Sequence, residues 1–269
     1  MRKLLALFLV VAFAGCAAKE TADVTPAEST GESVAMEETF VPAGEMVALS
    51  AKGDVTGYAS LPLEPDPAKP ALILIHEWWG LDDWIKENAD RYAAQGYVVI
   101  APDLYRGSVA NNADEAHQLM RGLPEDRAMD DMEAAFAWLA ARDDVDPKRI
   151  GIAGWCMGGG YALAFGTAEP RLAGLSINYG RLITDPNKVA RIKAPVLGIF
   201  GGQDKGIPVA DVESFRTLLD EKGIENSFHV FDDAGHAFMN PNNTAGFDPD
   251  ATKKAWSLMD EFFAAKLKG

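Results

Sequence analysis

From Met46 onward, short apolar runs alternate with longer amphipathic stretches, the pattern produced when buried strands and surface helices succeed one another. Met46–Ser50 and Val55–Leu61 flank Lys52-Gly53-Asp54 and predict a hairpin. Ala71–Ile75 is a continuous apolar run of the kind buried on both faces of a parallel sheet. Asp83–Gln95 predicts a helix, Tyr97–Ala101 a buried strand and Glu125–Ala141 a longer helix. Arg149–Ala153, Leu172–Asn178, Pro195–Phe200 and Asn226–Phe231 read as further strands. Met157–Ala168, Val209–Lys222 and Thr252–Lys268 read as the helices between and after them. Short connections in such an alternation imply right-handed crossovers. The expected fold is therefore α/β, a doubly wound, mostly parallel sheet with helices on both faces, spanning residues 46–269.

The pattern is different before Met46. Arg2 and Lys3 precede an apolar run from Leu4 to Phe13, and small residues lead to Cys16. That run is short for a bilayer span and has the layout of an export signal over residues 1–15. Ala14-Gly15-Cys16 resembles the bacterial lipobox, in which the cysteine is lipidated and becomes the first residue of the mature chain. Residues 16–45 are rich in Thr, Ala, Glu, Ser and Pro and predict a lipidated N-terminus followed by a disordered tether. The expectation is an exported, membrane-anchored bacterial lipoprotein on the periplasmic or cell-surface side, touching the membrane only through its lipid.

Composition narrows the partners. A formal charge of −15 over 269 residues argues against nucleic acid, which needs a basic surface. Hydrophobic residues make up 48% of the chain, enough for one large core. There are two cysteines, so lipidation of Cys16 leaves Cys156 as an unpaired thiol in an exported protein.

Cys156 sits in the most informative segment, Arg149–Tyr161 (RIGIAGWCMGGGY). A short apolar strand runs into Gly154-Trp155-Cys156-Met157-Gly158, followed by a helix of small residues. This is the G-x-S-x-G nucleophile elbow with cysteine in place of serine, which makes the expected sheet one of the α/β-hydrolase type. The flanking glycines leave room on a strained strand-to-helix turn, and the helix N-terminus favours a thiolate.

A base and an acid should follow in the order nucleophile, acid, histidine. Of four histidines, His76 and His117 precede Cys156, and His229 lies within a strand. His236, in the loop after the last strand, is the candidate base. Asp204 follows the strand Pro195–Phe200 and is the preferred acid, with Asp185, Asp232 and Asp233 as rivals. Asp204 would hold the imidazole in the tautomer that takes the thiol proton. The oxyanion hole needs two amides; Met157 at the elbow and Trp78 in His76-Glu77-Trp78-Trp79-Gly80 are the candidates. Core packing is the competing explanation for Trp78 and Trp79. Glu77, an anion at the end of a buried strand, needs a partner.

Together these segments resemble the dienelactone hydrolase family. The likeness runs from about Met46 to Gly269. It rests on His76–Gly80, Ala101-Pro102-Asp103-Leu104-Tyr105 and the elbow, then on Tyr179-Gly180, Gly201-Gly202-Gln203-Asp204 and Ala234-Gly235-His236-Ala237-Phe238. The resemblance implies a Cys156-Asp204-His236 triad that hydrolyses an ester or an enol-lactone. It also implies that Glu77 contacts the resting thiol and is released on substrate binding to help generate the thiolate. Relatives that take dienelactone grip its carboxylate with two arginines. Arg106 is the candidate for the first, but at the second Met239-Asn240-Pro241 offers no cation. An uncharged or aromatic ester is therefore at least as good a fit, with Trp79, Tyr105, Trp155 and Phe238 as candidate substrate contacts.

The leading expectation is a carboxylic ester or lactone hydrolase acting through a thioester acyl-enzyme on a small-molecule substrate. A peptidase or acyltransferase on the same fold is the alternative enzyme, since fold alone does not choose the acceptor. A non-catalytic ligand-binding lipoprotein is the alternative from outside enzymology. Neither metal-ligand spacing nor a nucleotide-binding glycine loop occurs, so no metal or cofactor is expected.

Overall fold

The structure, a computed structural model, describes residues 43–63 and 67–269. The expected export signal, Cys16 and all of the expected tether up to residue 42 lie outside the described residues.

Eight strands form one sheet in the order β1-β2-β4-β3-β5-β6-β7-β8. The hairpin partners β1 (Glu45–Ala48) and β2 (Thr56–Ser60) are antiparallel, and β2 continues antiparallel onto β4 (Val98–Pro102). All other pairings are parallel: β3 (Lys69–Ile75), β5 (Val145–Trp155), β6 (Gly174–Asn178), β7 (Val196–Gly201) and β8 (Asn226–Phe231). The mostly parallel α/β-hydrolase-type sheet is thus observed.

The central strands read as unbroken apolar runs because both of their faces are covered. Every residue of β3, β6 and β7 is buried. Alternate residues of β3 feed different cores: Ile73 and Ile75 pack with Phe136 and Phe165, while Leu72 and Leu74 pack with Trp155 and Tyr92. The helices that supply these layers are α1 (Asp83–Ala94), α2 (Ala113–Arg121), α3 (Glu125–Ala140), α4 (Met157–Ala168), α5 (Pro186–Val189), α6 (Val209–Glu221) and α7 (Pro249–Phe263). A π-helical turn, Ala264–Lys268, extends α7.

Helices α2 and α5 are absent from the pattern-based reading, for a physical reason. Only Ala116 of α2 is buried, so an apolar stripe could not mark it. Its signature is polar instead: Asn112 Oδ1 accepts from the Glu115 amide at 3.0 Å, and Glu115 Oε2 accepts from the Asn111 amide at 2.8 Å. The single turn of α5 is similarly announced by Asp185, whose side chain caps the Asn187 amide, and by Pro186. Asp185 thus serves as a helix cap, and among the described residues no hydrogen bond joins it to a histidine.

Candidate active site

Three parallel strands end on one edge of the sheet, and at or beyond each end the chain adopts backbone that side chains rarely do. Cys156 follows β5 with φ 53 and ψ −117, and Tyr179 follows β6 with φ 39. Ala237, beyond β8, has φ 56. Such conformations cost about 1–3 kcal/mol each and persist only where the surroundings enforce them. Here the enforcement is visible. The Cys156 amide donates to the Asn178 carbonyl at 3.0 Å, and Asn178 Nδ2 donates back to the Gly154 carbonyl at 3.0 Å. A methyl on Gly154 would strike the Gly158 carbonyl, and one on Gly158 would strike the carbonyls of Ile75 and His76. The first turn of α4 therefore presses directly on the end of β3, which only glycine allows.

The elbow delivers the sulfur to an imidazole. His236 Nε2 lies 3.1 Å from Cys156 Sγ, and His236 Nδ1 lies 2.7 Å from Asp204 Oδ2. The other oxygen, Asp204 Oδ1, accepts from the amides of Gly206 at 2.8 Å and Ile207 at 3.2 Å, so the carboxylate cannot turn. Burial alone would discharge both groups. It is outweighed in His236 by the bonds to Asp204 and Cys156, which hold the imidazole up at about 10. In Asp204 burial is likewise outweighed by His236 and the two amides, and its carboxyl stays below its ordinary value. Among the described residues neither Asp232 nor Asp233 hydrogen-bonds His236; the Asp232 carbonyl instead accepts from Gln203 Nε2 and so ties the loop bearing Asp204 to the loop bearing His236. Asn243 Nδ2 secures the latter loop by donating to the His236 carbonyl at 3.1 Å.

The amides of Trp78 and Met157 have no hydrogen-bond partner among the described residues. Trp78 packs edge-on against Trp79 and His117 at ring separations of 4.9 and 4.8 Å, and both tryptophans stay partly exposed. Tyr105 is nearly buried and reaches the elbow, its hydroxyl 3.2 Å from Met157 Sδ. His76 is internal, with Nδ1 2.6 Å from the Glu77 carbonyl and Nε2 accepting from the Leu104 amide.

Three expected site residues are occupied elsewhere. The Arg106 guanidinium binds Asp131 through two bonds of 2.6 Å, so it is not free to grip a substrate anion. Trp155 is fully buried among Trp84 and Trp256, because the residue preceding the nucleophile points to the opposite face of β5. Phe238 is fully buried against Tyr179 and Phe231 and supports the site from beneath.

Glu77 also differs from what the resemblance implies. The sulfur's partner is His236, whereas Glu77 Oε2 accepts from Asn240 Nδ2 at 2.7 Å. Glu77 and Asn240 are both almost wholly buried. Burial pushes the Glu77 carboxyl up to about 7 against the opposing pull of the Asn240 bond. Two residues with no predicted role thus belong to the site. Tyr179 lies edge-on to His236 at 5.4 Å, and its hydroxyl interacts with Glu77 from beyond hydrogen-bond geometry. Asn240 lies four residues beyond His236, and no motif marks it.

The Glu77 proton carries a stability consequence. Its folded value is raised above the unfolded 4.5, so the neutral carboxyl contributes fully below pH 4.5, and that contribution is lost as pH rises through about 7. Glu77→Gln should make the unfolding free energy less sensitive to pH across this window by about 3 kcal/mol, measured by urea unfolding at several pH values. Identical pH slopes for the two proteins would remove the assignment.

A family model described as "Dienelactone hydrolase family" matches residues 55–267. A protein of Aquifex aeolicus (strain VF5), provisionally named carboxymethylenebutenolidase, is 33% identical over 237 residues, covering 84% of this chain and 100% of its own. A protein of Salmonella typhimurium with the same provisional name is 33% identical over 225 residues, covering 78% of this chain and 83% of its own. A crystal structure from Klebsiella pneumoniae, provisionally titled dienelactone hydrolase, superposes with a TM-score of 0.75 at 26% identity, covering 82% of this chain and 98% of that one. Taken with the sheet order and the match across nearly all of the described residues, these likenesses show that the chain is a hydrolase belonging to the dienelactone hydrolase family.

Proposed function

We propose that the protein hydrolyses a carboxylic ester or lactone through a thioester on Cys156. The observation that carries this reading is the continuous line from Asp204 Oδ2 through the His236 ring to Cys156 Sγ, with links of 2.7 and 3.1 Å. An imidazole that keeps its proton well above neutrality leaves the sulfur as the nucleophile. Sulfur attacks the substrate carbonyl, and the oxyanion forms against the amides of Met157 and Trp78. Collapse breaks the bond to the alkoxide, which takes the His236 proton and leaves as alcohol or, for a lactone, as the opened chain's hydroxyl. A water then gives its proton to His236 as it attacks the thioester. The tetrahedral intermediate expels the sulfur, releasing the acid and restoring the pair. Asp204 stays ionised throughout and holds the ring.

The substrate we infer is uncharged at the reacting end. Arg106 is committed to Asp131, Asn240 is neutral, and Asp204 adds a carboxylate behind His236. Partly exposed Trp78 and Trp79 offer apolar surface, with Tyr105 beside the elbow. We further propose that the protein acts at a membrane surface, exported by residues 1–15 and held by lipid on Cys16 through the tether 16–45, with no cofactor.

A panel of p-nitrophenyl esters and lactones tests the chemistry. Cys156→Ala should abolish turnover, and Asp204→Asn should lower kcat by roughly 10³–10⁴-fold while leaving the fold intact. Full activity in Cys156→Ala would remove the mechanism. In the same panel, a substrate bearing a carboxylate next to the ester should be cleaved more slowly than its methyl-ester counterpart; the reverse order would overturn the substrate reading. For localisation, Cys16→Ser should move the protein from the membrane to the soluble fraction of cells expressing it, and an unchanged distribution would overturn the lipid anchor.

A further inference from the structure

The direction of the Trp78 amide is set by its neighbours on the other side of the peptide. A trans peptide is planar, so the N–H of the Glu77–Trp78 unit points away from the Glu77 carbonyl. Whatever holds that carbonyl therefore aims the N–H. The Gly80 amide donates to it at 3.3 Å, and His76 Nδ1 lies closer, at 2.6 Å. The hydrogen on His76 can be placed. The Leu104 backbone N–H can only donate, and it meets Nε2 at 3.3 Å, so Nε2 is bare and Nδ1 carries the hydrogen. Turning the ring over would set carbon against both partners and leave two backbone groups unpaired. His76 is fully buried, and burial pulls the imidazole below its ordinary value, which suits a ring that must stay neutral to accept from Leu104.

His76 also meets the residues around the other amide. Its carbonyl is part of the surface on which the first turn of α4 packs, where a side chain at Gly158 would collide. Nε2 fastens the ring to the Leu104–Tyr105 segment, and the Tyr105 hydroxyl reaches Met157 Sδ at 3.2 Å. The Tyr105 ring itself stands 5.0 Å from the imidazole. We propose that His76 is the positioning residue of the oxyanion site: its Nδ1–H grips the Glu77 carbonyl and so aims the Trp78 amide, while its main chain seats the helix that brings the Met157 amide. This deepens the thiol-hydrolase reading above and rests on it. His76 acts through the peptide and leaves the sulfur to His236. Its contribution is therefore confined to the moment when negative charge builds on the carbonyl oxygen, where donors fixed in advance lower the barrier most.

The test compares an ester with its thionoester, in which sulfur replaces the carbonyl oxygen. Sulfur is a weak acceptor and gains little from the two amides. The ratio of kcat for the ester to kcat for the thionoester thus reads the oxyanion site, whereas a general loss of structure lowers both rates together. His76→Phe, which keeps a ring but no donor, should shrink that ratio about tenfold with KM for the ester nearly unchanged. Alkylation of Cys156 by iodoacetamide, which forms no oxyanion, should proceed at the same rate in that variant. His76→Asn, whose Nδ2 stands near the place of Nδ1, should hold the ratio within about threefold of the natural protein. Nitrogen NMR of His76 in the full chain requires no variant and should show hydrogen on Nδ1 alone wherever the protein is folded. Hydrogen on Nε2, or a ratio unmoved in His76→Phe, would overturn the proposal; if the phenylalanine variant does not fold, a tenfold drop of the ratio in His76→Asn would do so. Ester turnover surviving in Cys156→Ala would remove the thiol-hydrolase reading and this proposal together. A dead Cys156→Ala beside an unmoved ratio would remove this proposal alone.

Discussion

The close approach of the α4 N-terminus to the ends of β3 and β5 is the constraint on which this site depends. Without side chains at positions 154 and 158 the helix can begin directly against the Ile75 and His76 carbonyls. That contact forces Cys156 into φ 53, where the sulfur stands clear of the sheet, and the bond from its amide to Asn178 keeps it there. The same contact brings the helix N-terminus, with its unpaired Met157 amide, next to the sulfur. One packing solution thus positions the thiol and one of the amides an oxyanion needs.

Everything else at the site is fastened to that point by chains of neighbours. β6 supplies Asn178, which ties down the elbow, and then Tyr179, whose ring lies against His236. β7 leads to Asp204, locked by two amides of its own loop. β8 leads to the loop of His236, whose carbonyl is held by Asn243 and which bonds to the Asp204 loop through Gln203. Preorganisation of this kind means that little of the geometry has to be assembled when substrate arrives.

Electrostatics gives the site its character. Asp204 bonds the imidazole and the buried carboxyl of Glu77 interacts with it, while the arginine nearest in sequence to the Asp-Leu-Tyr segment is neutralised by Asp131. The burial that keeps Glu77 close to its protonation midpoint would be very costly for a fixed charge.

The sequence by itself determined the sheet and pointed to the elbow, the thiol and the imidazole. These are local or order-dependent features: apolar runs report burial on both faces of a strand, a Gly-x-Cys-x-Gly turn reports close approach, and His236 is the only histidine beyond Cys156 that is not in a strand. Only the tertiary structure decided which side chains the site uses. Trp155 is next to the nucleophile in sequence yet faces away, because alternation along β5 sends it to the opposite layer. Arg106 is claimed by Asp131, twenty-five residues on, through a contact no local pattern reports. Asn240 meets Glu77 across a separation of 163 residues, and nothing near either residue in the chain signals it. Such pairings depend on where the strand ends converge, and that is a property of the assembled sheet.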